Sequence, residues 1–206
     1  MCVKAFVFDE RTVIDMFICI YAAASKALSE SYIKSVEELG CFLAQRNHGL
    51  VFGGGTNGLM GAAARGFTKG GAKDIICVAP KFFNVDGILY DGCTEYIYPD
   101  TMRERKGIME DKSEAFIAVP GGIGTLDELF EIITLKSLSR HTKPIVLYNV
   151  NGFFRPMLEM LDAYQREGFL KNYRSLLFIS DSPKEIADYL ESYKSDTTKV
   201  SDFKNI

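Results

Sequence analysis

A chain of 206 residues is long enough for one domain with a full core, and no break in composition suggests two. Its net charge of −3, with both signs spread along the chain, argues against a general nucleic-acid surface or a basic membrane patch. The five cysteines, Cys2, Cys19, Cys41, Cys77 and Cys93, form no CxxC pair, and several sit in apolar runs. They read as small core residues in a reducing cytoplasm, not as disulfides or a zinc site. The two histidines, His48 and His141, lie too far apart in sequence for a His-rich metal site.

Residues 16–24 are apolar, but Asp9, Glu10 and Asp15 stand where a secretory signal carries positive charge. The run is also too short to span a bilayer. Residues 16–21 therefore read as the first strand. This leaves 1–15 as an N-terminal extension, 16–194 as the domain and 195–206 as a polar, frayed tail. A helix over 29–46 puts Tyr32, Ile33, Val36, Leu39, Phe42 and Leu43 on one face, and a strand over 49–52 follows. Gly53-Gly54-Gly55-Thr56-Asn57-Gly58 then opens a helix through Leu59, Met60 and three alanines. A strand over 75–79 is stopped by Pro80, and the aperiodic loop 81–93 is long enough to be functional. A short strand (94–98), a helix (101–112) and a strand (115–119) come next.

Beyond residue 125, Leu126, Leu129, Ile132, Ile133 and Leu135 recur at helical spacing. A strand over 144–148, a helix over 153–167 and a strand over 176–179 complete the alternation. Ser182 and Pro183 start a last helix as N-cap and first-turn proline. This order predicts an α/β fold: a doubly wound, mostly parallel sheet, Rossmann-like, in a single domain. Met102, Met109, Met157 and Met160 read as core filler.

Pro120-Gly121-Gly122-Ile123-Gly124-Thr125-Leu126-Asp127-Glu128 lies at a strand-to-helix turn. Its glycines let a ligand approach main-chain N–H groups, and the following helix directs its positive dipole end at that space, which suits a phosphate. Thr125 and Glu128 have the spacing of a capping box with Thr125 as N-cap, and spacing alone leaves a capping and a catalytic role equally open. Gly53-x-Gly55-x-x-Gly58 matches the dinucleotide fingerprint, but the next strand ends Ala79-Pro80-Lys81, with no acid for a ribose. The turn reads instead as a second phosphate- or sugar-facing element. A capping box from Thr101 to Glu104 places Arg103, Arg105 and Lys106 near a helix start, where the dipole repels cations. An anionic ligand would resolve that conflict; a solvated face paired with Glu110 or Asp111 is the alternative. His141, between Arg140 and Lys143, reads as a surface loop residue and not as a base. There is no GxSxG, Walker-type or HExxH motif.

Together these residues resemble the Lonely guy family, cytokinin riboside 5'-monophosphate phosphoribohydrolases often labelled lysine decarboxylase-like. Pro120 to Glu128 meets the family pattern PGGxGTxxE, Arg105-Lys106 matches its Arg-Lys pair, and Gly53 through Gly61 is similar to its GGG-x-x-GLMG turn. Arg103 stands where relatives carry histidine, Ala22-Ala23-Ala24-Ser25 is poorer in Gly and Ser, and the loop near Asp86-Gly87 lacks an acidic residue that some plant members of the family place close by. The resemblance implies cleavage of a purine nucleoside 5'-monophosphate, with adenine or N6-modified adenine as base, without metal or cofactor. It implies catalytic roles for Glu128 and Arg105. It places Lys106, Gly54, Gly55, Met102, Gly121, Gly122, Ile123, Gly124, Thr125, Leu126 and Asp127 at the substrate. A cytoplasmic homodimer with no nucleic-acid or membrane partner is the matching expectation. The rival expectation is a non-catalytic nucleotide or molybdenum-cofactor carrier, which needs the glycine turns but not Glu128.

Overall fold

The computed structural model describes residues 16–195. The expectations for the extension 1–15, for Cys2 and for the tail beyond residue 195 lie outside the described residues. Seven strands, β1 (Phe17–Tyr21), β2 (Gly49–Phe52), β3 (Ile75–Val78), β4 (Glu95–Ile97), β5 (Ala115–Ala118), β6 (Ile145–Tyr148) and β7 (Phe178–Ser180), form one sheet. All pair in parallel, in the order β4-β3-β2-β1-β5-β6-β7. Six helices cover the two faces: α1 (Glu30–Gln45), α2 (Gly58–Gly70), α3 (Met102–Asp111), α4 (Ile123–Ser137), α5 (Arg155–Arg166) and α6 (Pro183–Ser192). The doubly wound architecture is as expected, and none of the described helices is long and apolar enough to cross a membrane.

The central strands β2, β3, β5 and β6 are buried at every position because both faces are covered, while the edge strands β4 and β7 carry Glu95 and Ser180. Ile18, Ile20, Leu50 and Phe52 point into one core with Val36, Leu39 and Leu43 of α1, Phe67 of α2 and Ile186 of α6. Cys19, Tyr21, Val51 and Phe116 point into the other, with Met109 of α3, Leu129 and Ile132 of α4, and Leu158 and Leu161 of α5. Burying that much apolar surface, at about 25 cal/mol per Å², is the main force that holds both layers on the sheet.

From β1 the chain winds outward to β4 and then returns to lay β5 against the other side of β1. The order reverses there, and a crevice opens beyond the carboxyl ends of these two strands. Tyr21 pairs with Ala118, Val119 N–H donates to the Tyr21 carbonyl at 3.0 Å, and Ala23 N–H donates to the Pro120 carbonyl at 3.3 Å. The proline-glycine turn and the Ala22–Ser25 loop are thereby held side by side.

Several local expectations change. Residues 173–176 form a 3₁₀ turn that buries Tyr173 and Leu176, which pushes the last strand on to Phe178–Ser180. Met109 is fully buried, as a core residue should be, but Met102 and Met160 are exposed at 44% and 40%. Met102 opens α3 at the crevice mouth, and Met160 lies on the outer face of α5. His141 is not a surface residue: it is buried, with Nε2 at 2.8 Å from the Ile132 carbonyl and the ring against Phe116. Burial pulls its pKa below the ordinary histidine value.

Candidate active site

At the end of β5 the chain turns through Gly121 and enters α4 from Gly122, whose φ of −91° and ψ of −156° are those of an extended N-cap. The helix therefore begins a turn earlier than the Thr125–Glu128 capping box required. Thr125 is its third residue, it is buried, and no side chain caps the helix. The reason is steric. A Cβ on Gly121 would lie 2.1 Å from Thr125 Oγ1, so only glycine lets Thr125 fold down over the turn. A Cβ on Gly122 or Gly124 would meet nothing within 4 Å, so the helix start stays open to approach. The first N–H groups of any helix lack helical partners, and here they border a cavity of about 370 Å³.

Opposite stands α3. Its capping box forms as expected: Glu104 N–H donates to Thr101 Oγ1 at 3.1 Å, and Glu104 Oε2 accepts from Thr101 N–H at 3.3 Å. This fixes the start of α3 and with it Arg105, which is buried. Arg105 Nε donates to the Val78 carbonyl at the end of β3 at 3.1 Å, and Nη1 donates to Glu128 Oε1 at 2.5 Å. Among the described residues no ion pair joins this cationic turn to Glu110 or Asp111. The negative charge comes from α4, with Glu128 on Arg105 and with Asp127 (3.1 Å) and Glu131 (2.7 Å) on Lys106. Arg103 points outward and is exposed.

Glu128 lines the cavity yet is only 8% exposed. Burial outweighs the guanidinium beside it, so its carboxyl titrates above the ordinary glutamate value. A buried acid with a raised pKa, facing a cavity with a specific charge partner, is the arrangement in which chemistry is done. Tyr21 lies beneath, buried and stacked on Phe116 with ring planes 5° apart.

Met102, Arg105, Gly122, Gly124, Thr125, Asp127 and Glu128 all line this cavity. Gly121 lines a neighbouring apolar cavity of about 300 Å³, which shares Ala23, Ser25 and Gly122 with the first and is closed by Leu28, Tyr32 and Phe153. Ile123 is 88% exposed at the start of α4, Leu126 packs against the core under α4, and Lys106 sits beside the cavity on Asp127. Gly54 packs on Cys77 and Leu89 and Gly55 on Met60, and neither is among the residues that line the cavity. A Cβ on Gly53 would lie 2.1 Å from Arg105 Nη2, while Gly55 N–H contacts Met60 Sδ at 3.0 Å. The N–H groups of Leu59 and Met60, at the start of α2, both donate to the Ala23 carbonyl, at 2.9 and 3.1 Å. This turn thus supports the guanidinium and the first loop, with the start of α2 already occupied. Ala22, Ala23, Ala24 and Ser25, noted above only as a departure from the family pattern, form a wall of the cavity with Met60. Their position, directly after β1 at the reversal of strand order, is a second sequence signal.

The family model described as "Possible lysine decarboxylase" matches residues 60–190. A cytokinin riboside 5'-monophosphate phosphoribohydrolase of Arabidopsis thaliana is 38% identical over 189 residues, 91% of this chain and 88% of its own. A probable enzyme of the same name from Oryza sativa subsp. japonica is 37% identical over 184 residues, 89% of this chain and 75% of its own. Among solved structures, the molybdenum cofactor carrier protein of Chlamydomonas reinhardtii superposes with a TM-score of 0.64 at 21% identity, covering 84% of this chain and 94% of its own. The molybdenum cofactor binding protein of Rippkaea orientalis gives 0.61 at 20%, covering 85% and 94%. At such identities these two share the fold alone. The sequence matches decide the family: this chain belongs to the Lonely guy family of cytokinin riboside 5'-monophosphate phosphoribohydrolases.

Proposed function

We propose that the protein hydrolyses the N-glycosidic bond of a purine nucleoside 5'-monophosphate, carrying adenine or an N6-modified adenine, to the free base and ribose 5-phosphate. The observation that carries this is the buried Glu128 carboxylate, held by Arg105 and facing the same cavity as the uncapped start of α4. The names of the relatives agree with it.

The phosphate seats on the N–H groups of the first turn of α4, where the glycines leave room and the dipole favours an anion. Lys106, beside the cavity, adds positive charge. That anchor sets the ribose over Glu128. As the C1'–N9 bond breaks, its electron pair leaves with the base and positive charge builds on the ribose ring, as in glycoside hydrolysis. The carboxylate stabilises that charge and orients a water, whose oxygen bonds to C1' while its proton passes to the base. Arg105 fixes the carboxylate in place and keeps it ionised against the pull of burial. The adjoining apolar cavity under Phe153 offers room for an apolar N6 substituent. Lysine decarboxylation fits less well, since no lysine is among the residues that line the cavity.

The direct test is incubation of pure protein with AMP and with N6-isopentenyl AMP, followed by chromatography for free base and ribose 5-phosphate. Binding without base release would favour the carrier reading. We also assign a homodimer, supported by the exposed Met160, Tyr164 and Phe169 on and just after α5, to be checked by sedimentation.

A further inference from the structure

Five side chains that line the cavity are polar or charged, and each has a task away from the leaving base. Arg105 commits Nε to the Val78 carbonyl at 3.1 Å and Nη1 to Glu128 at 2.5 Å. Asp127 holds the Lys106 ammonium at 3.1 Å. Ser25 Oγ accepts from Ala27 N–H at 3.2 Å, and Thr125 is buried against Gly121. Glu128 has to be ionised to act beneath the ribose, so it does not serve as a proton donor as well.

What remains for the base is apolar. With the phosphate on α4 and the ribose over Glu128, the other side chains on the cavity are Met60, Met102 and the alanines at 22–24. Met60 Sδ accepts from Gly55 N–H at 3.0 Å, and Met102 stands 44% exposed at the mouth. Thioethers are polarisable and adapt to the face of a ring, but they donate no proton. Among the described residues of this cavity, none is placed to protonate a purine as its bond to ribose breaks.

A neutral purine leaves as an anion unless it gains a proton, which here comes from the attacking water or from solvent. A base that already carries positive charge leaves neutral and needs none. Nor does the cavity repel such a base. Two carboxylates, Asp127 and Glu128, line it against one guanidinium, and Lys106 beside it is held by Asp127 and Glu131 at 3.1 and 2.7 Å. An ionised Glu128 that favours positive charge on the sugar also favours it on the attached ring.

We propose a further activity, one that rests on the reaction above: the site hydrolyses ribonucleoside 5'-monophosphates whose base is a cation, the class of 7-methylguanosine 5'-monophosphate, and does so faster than it hydrolyses their neutral counterparts. The C1'–N9 bond breaks, and its electron pair neutralises the methylated ring. The water oxygen bonds to C1', and the water gives up one proton to solvent. One nucleotide and one water thus become neutral 7-methylguanine, ribose 5-phosphate and one proton. Where a positioned acid protonates a leaving group it contributes about a hundredfold to ten-thousandfold in rate. In a site without such an acid, that factor is the advantage of a base that needs no proton.

The test compares 7-methylguanosine 5'-monophosphate with GMP, two nucleotides that differ by one methyl group. Single-turnover rates with excess protein are read at pH 6, where the methylated ring keeps its charge, by chromatography for free base and ribose 5-phosphate. A protein-free blank is subtracted, AMP is run alongside, and Glu128→Gln is assayed with all three. The methylated nucleotide should react about a hundredfold or more faster than GMP. Glu128→Gln should slow each substrate about a hundredfold to a thousandfold. A smaller ratio, or AMP cleaved while the methylated nucleotide stays intact, would overturn the inference, because a side chain would then protonate or read the base. Rapid release that Glu128→Gln leaves unchanged would overturn it as well, since the cleavage would lie outside this cavity. Protein that leaves all three nucleotides intact would count against the proposed reaction itself, and this activity would go with it.

Discussion

Replacing Glu128 by Gln separates the chemistry of this carboxylate from its place in the fold. The side chain is 8% exposed and bonds Arg105 at 2.5 Å, which at first sight marks a stabilising buried ion pair. Removing one partner of such a pair ordinarily costs about 3–5 kcal/mol. The carboxyl here, however, titrates above its ordinary value, because burial outweighs the guanidinium. A group whose folded pKa is raised contributes stability that is fully present below its unfolded value and is lost as pH rises through the folded one. At neutral pH the ionised carboxylate is thus a burden on the fold, and Gln copies the protonated form the fold prefers. Urea unfolding at pH 7 should place Glu128→Gln within about 1 kcal/mol of the parent, or above it. Adenine release from AMP should fall about a hundredfold to a thousandfold, a barrier increase of about 3–4 kcal/mol. The acid limb of the parent's rate profile should lie above the ordinary glutamate range, since activity needs the ionised form. A Gln variant that keeps parental turnover would refute the catalytic role. One that loses 3 kcal/mol or more of stability would show that the pair is held for structure.

Gly124→Ala should stabilise α4 by about 0.5–1 kcal/mol, because a Cβ there meets nothing. Its methyl stands beside the phosphate, so KM for AMP should rise about tenfold or more with kcat less affected. Thr101→Ala removes the α3 capping box and should cost about 1 kcal/mol in urea unfolding, with Thr101→Ser close to the parent. Lys136 is buried against the Leu176 carbonyl and the Tyr193 ring, and burial lowers its pKa to about 8. With the folded value below the unfolded 10.5, the unfolded chain binds more protons between them, so stability should rise with pH across that window. Lys136→Met should be more stable than the parent at pH 7 by about 1–2 kcal/mol and lose that advantage by pH 10.

The sheet was legible because its central strands are unbroken apolar runs stopped by proline, glycine or charge, the pattern of strands covered on both faces. The α3 capping box was legible because both of its partners lie within one turn. The identical spacing at Thr125 and Glu128 misled, since nothing local shows that Gly121 lets Thr125 drop onto the turn and start the helix early. The Arg105–Glu128 pair joins two helices 23 residues apart, which no periodicity reveals. Its trace in the sequence was indirect: cations at a helix start called for negative charge, and Arg105 and Lys106 receive some of it from carboxylates of α4. His141 read as exposed from its charged neighbours, yet its burial depends on the Ile132 carbonyl, a tertiary partner. The glycine run at 53–58 shows the same limit. Its letters matched a phosphate turn, while the N–H groups of Leu59 and Met60 at the start of α2 are taken up by the Ala23 carbonyl, from the loop that follows β1.

A carrier and a hydrolase can share this architecture, and the TM-score of 0.64 to a molybdenum cofactor carrier says no more than that. What separates them is the demand each makes on the site. Holding a phosphorylated ligand needs an open helix start, and the uncapped α4 supplies it. It does not need a carboxylate close to that anion, where the two repel. Glu128 stands in the same cavity, buried, above its ordinary pKa, with Arg105 committed to holding it. An acid kept ionised against both burial and a neighbouring phosphate weakens ground-state binding. It becomes favourable only when positive charge develops on the sugar between them, so its benefit falls on the transition state. A site with this arrangement should bind its product ribose 5-phosphate weakly and a cationic ring analogue tightly. Calorimetry with ribose 5-phosphate and with a phosphorylated iminoribitol compares them, and equal affinities would mean that the acid does not act on the sugar.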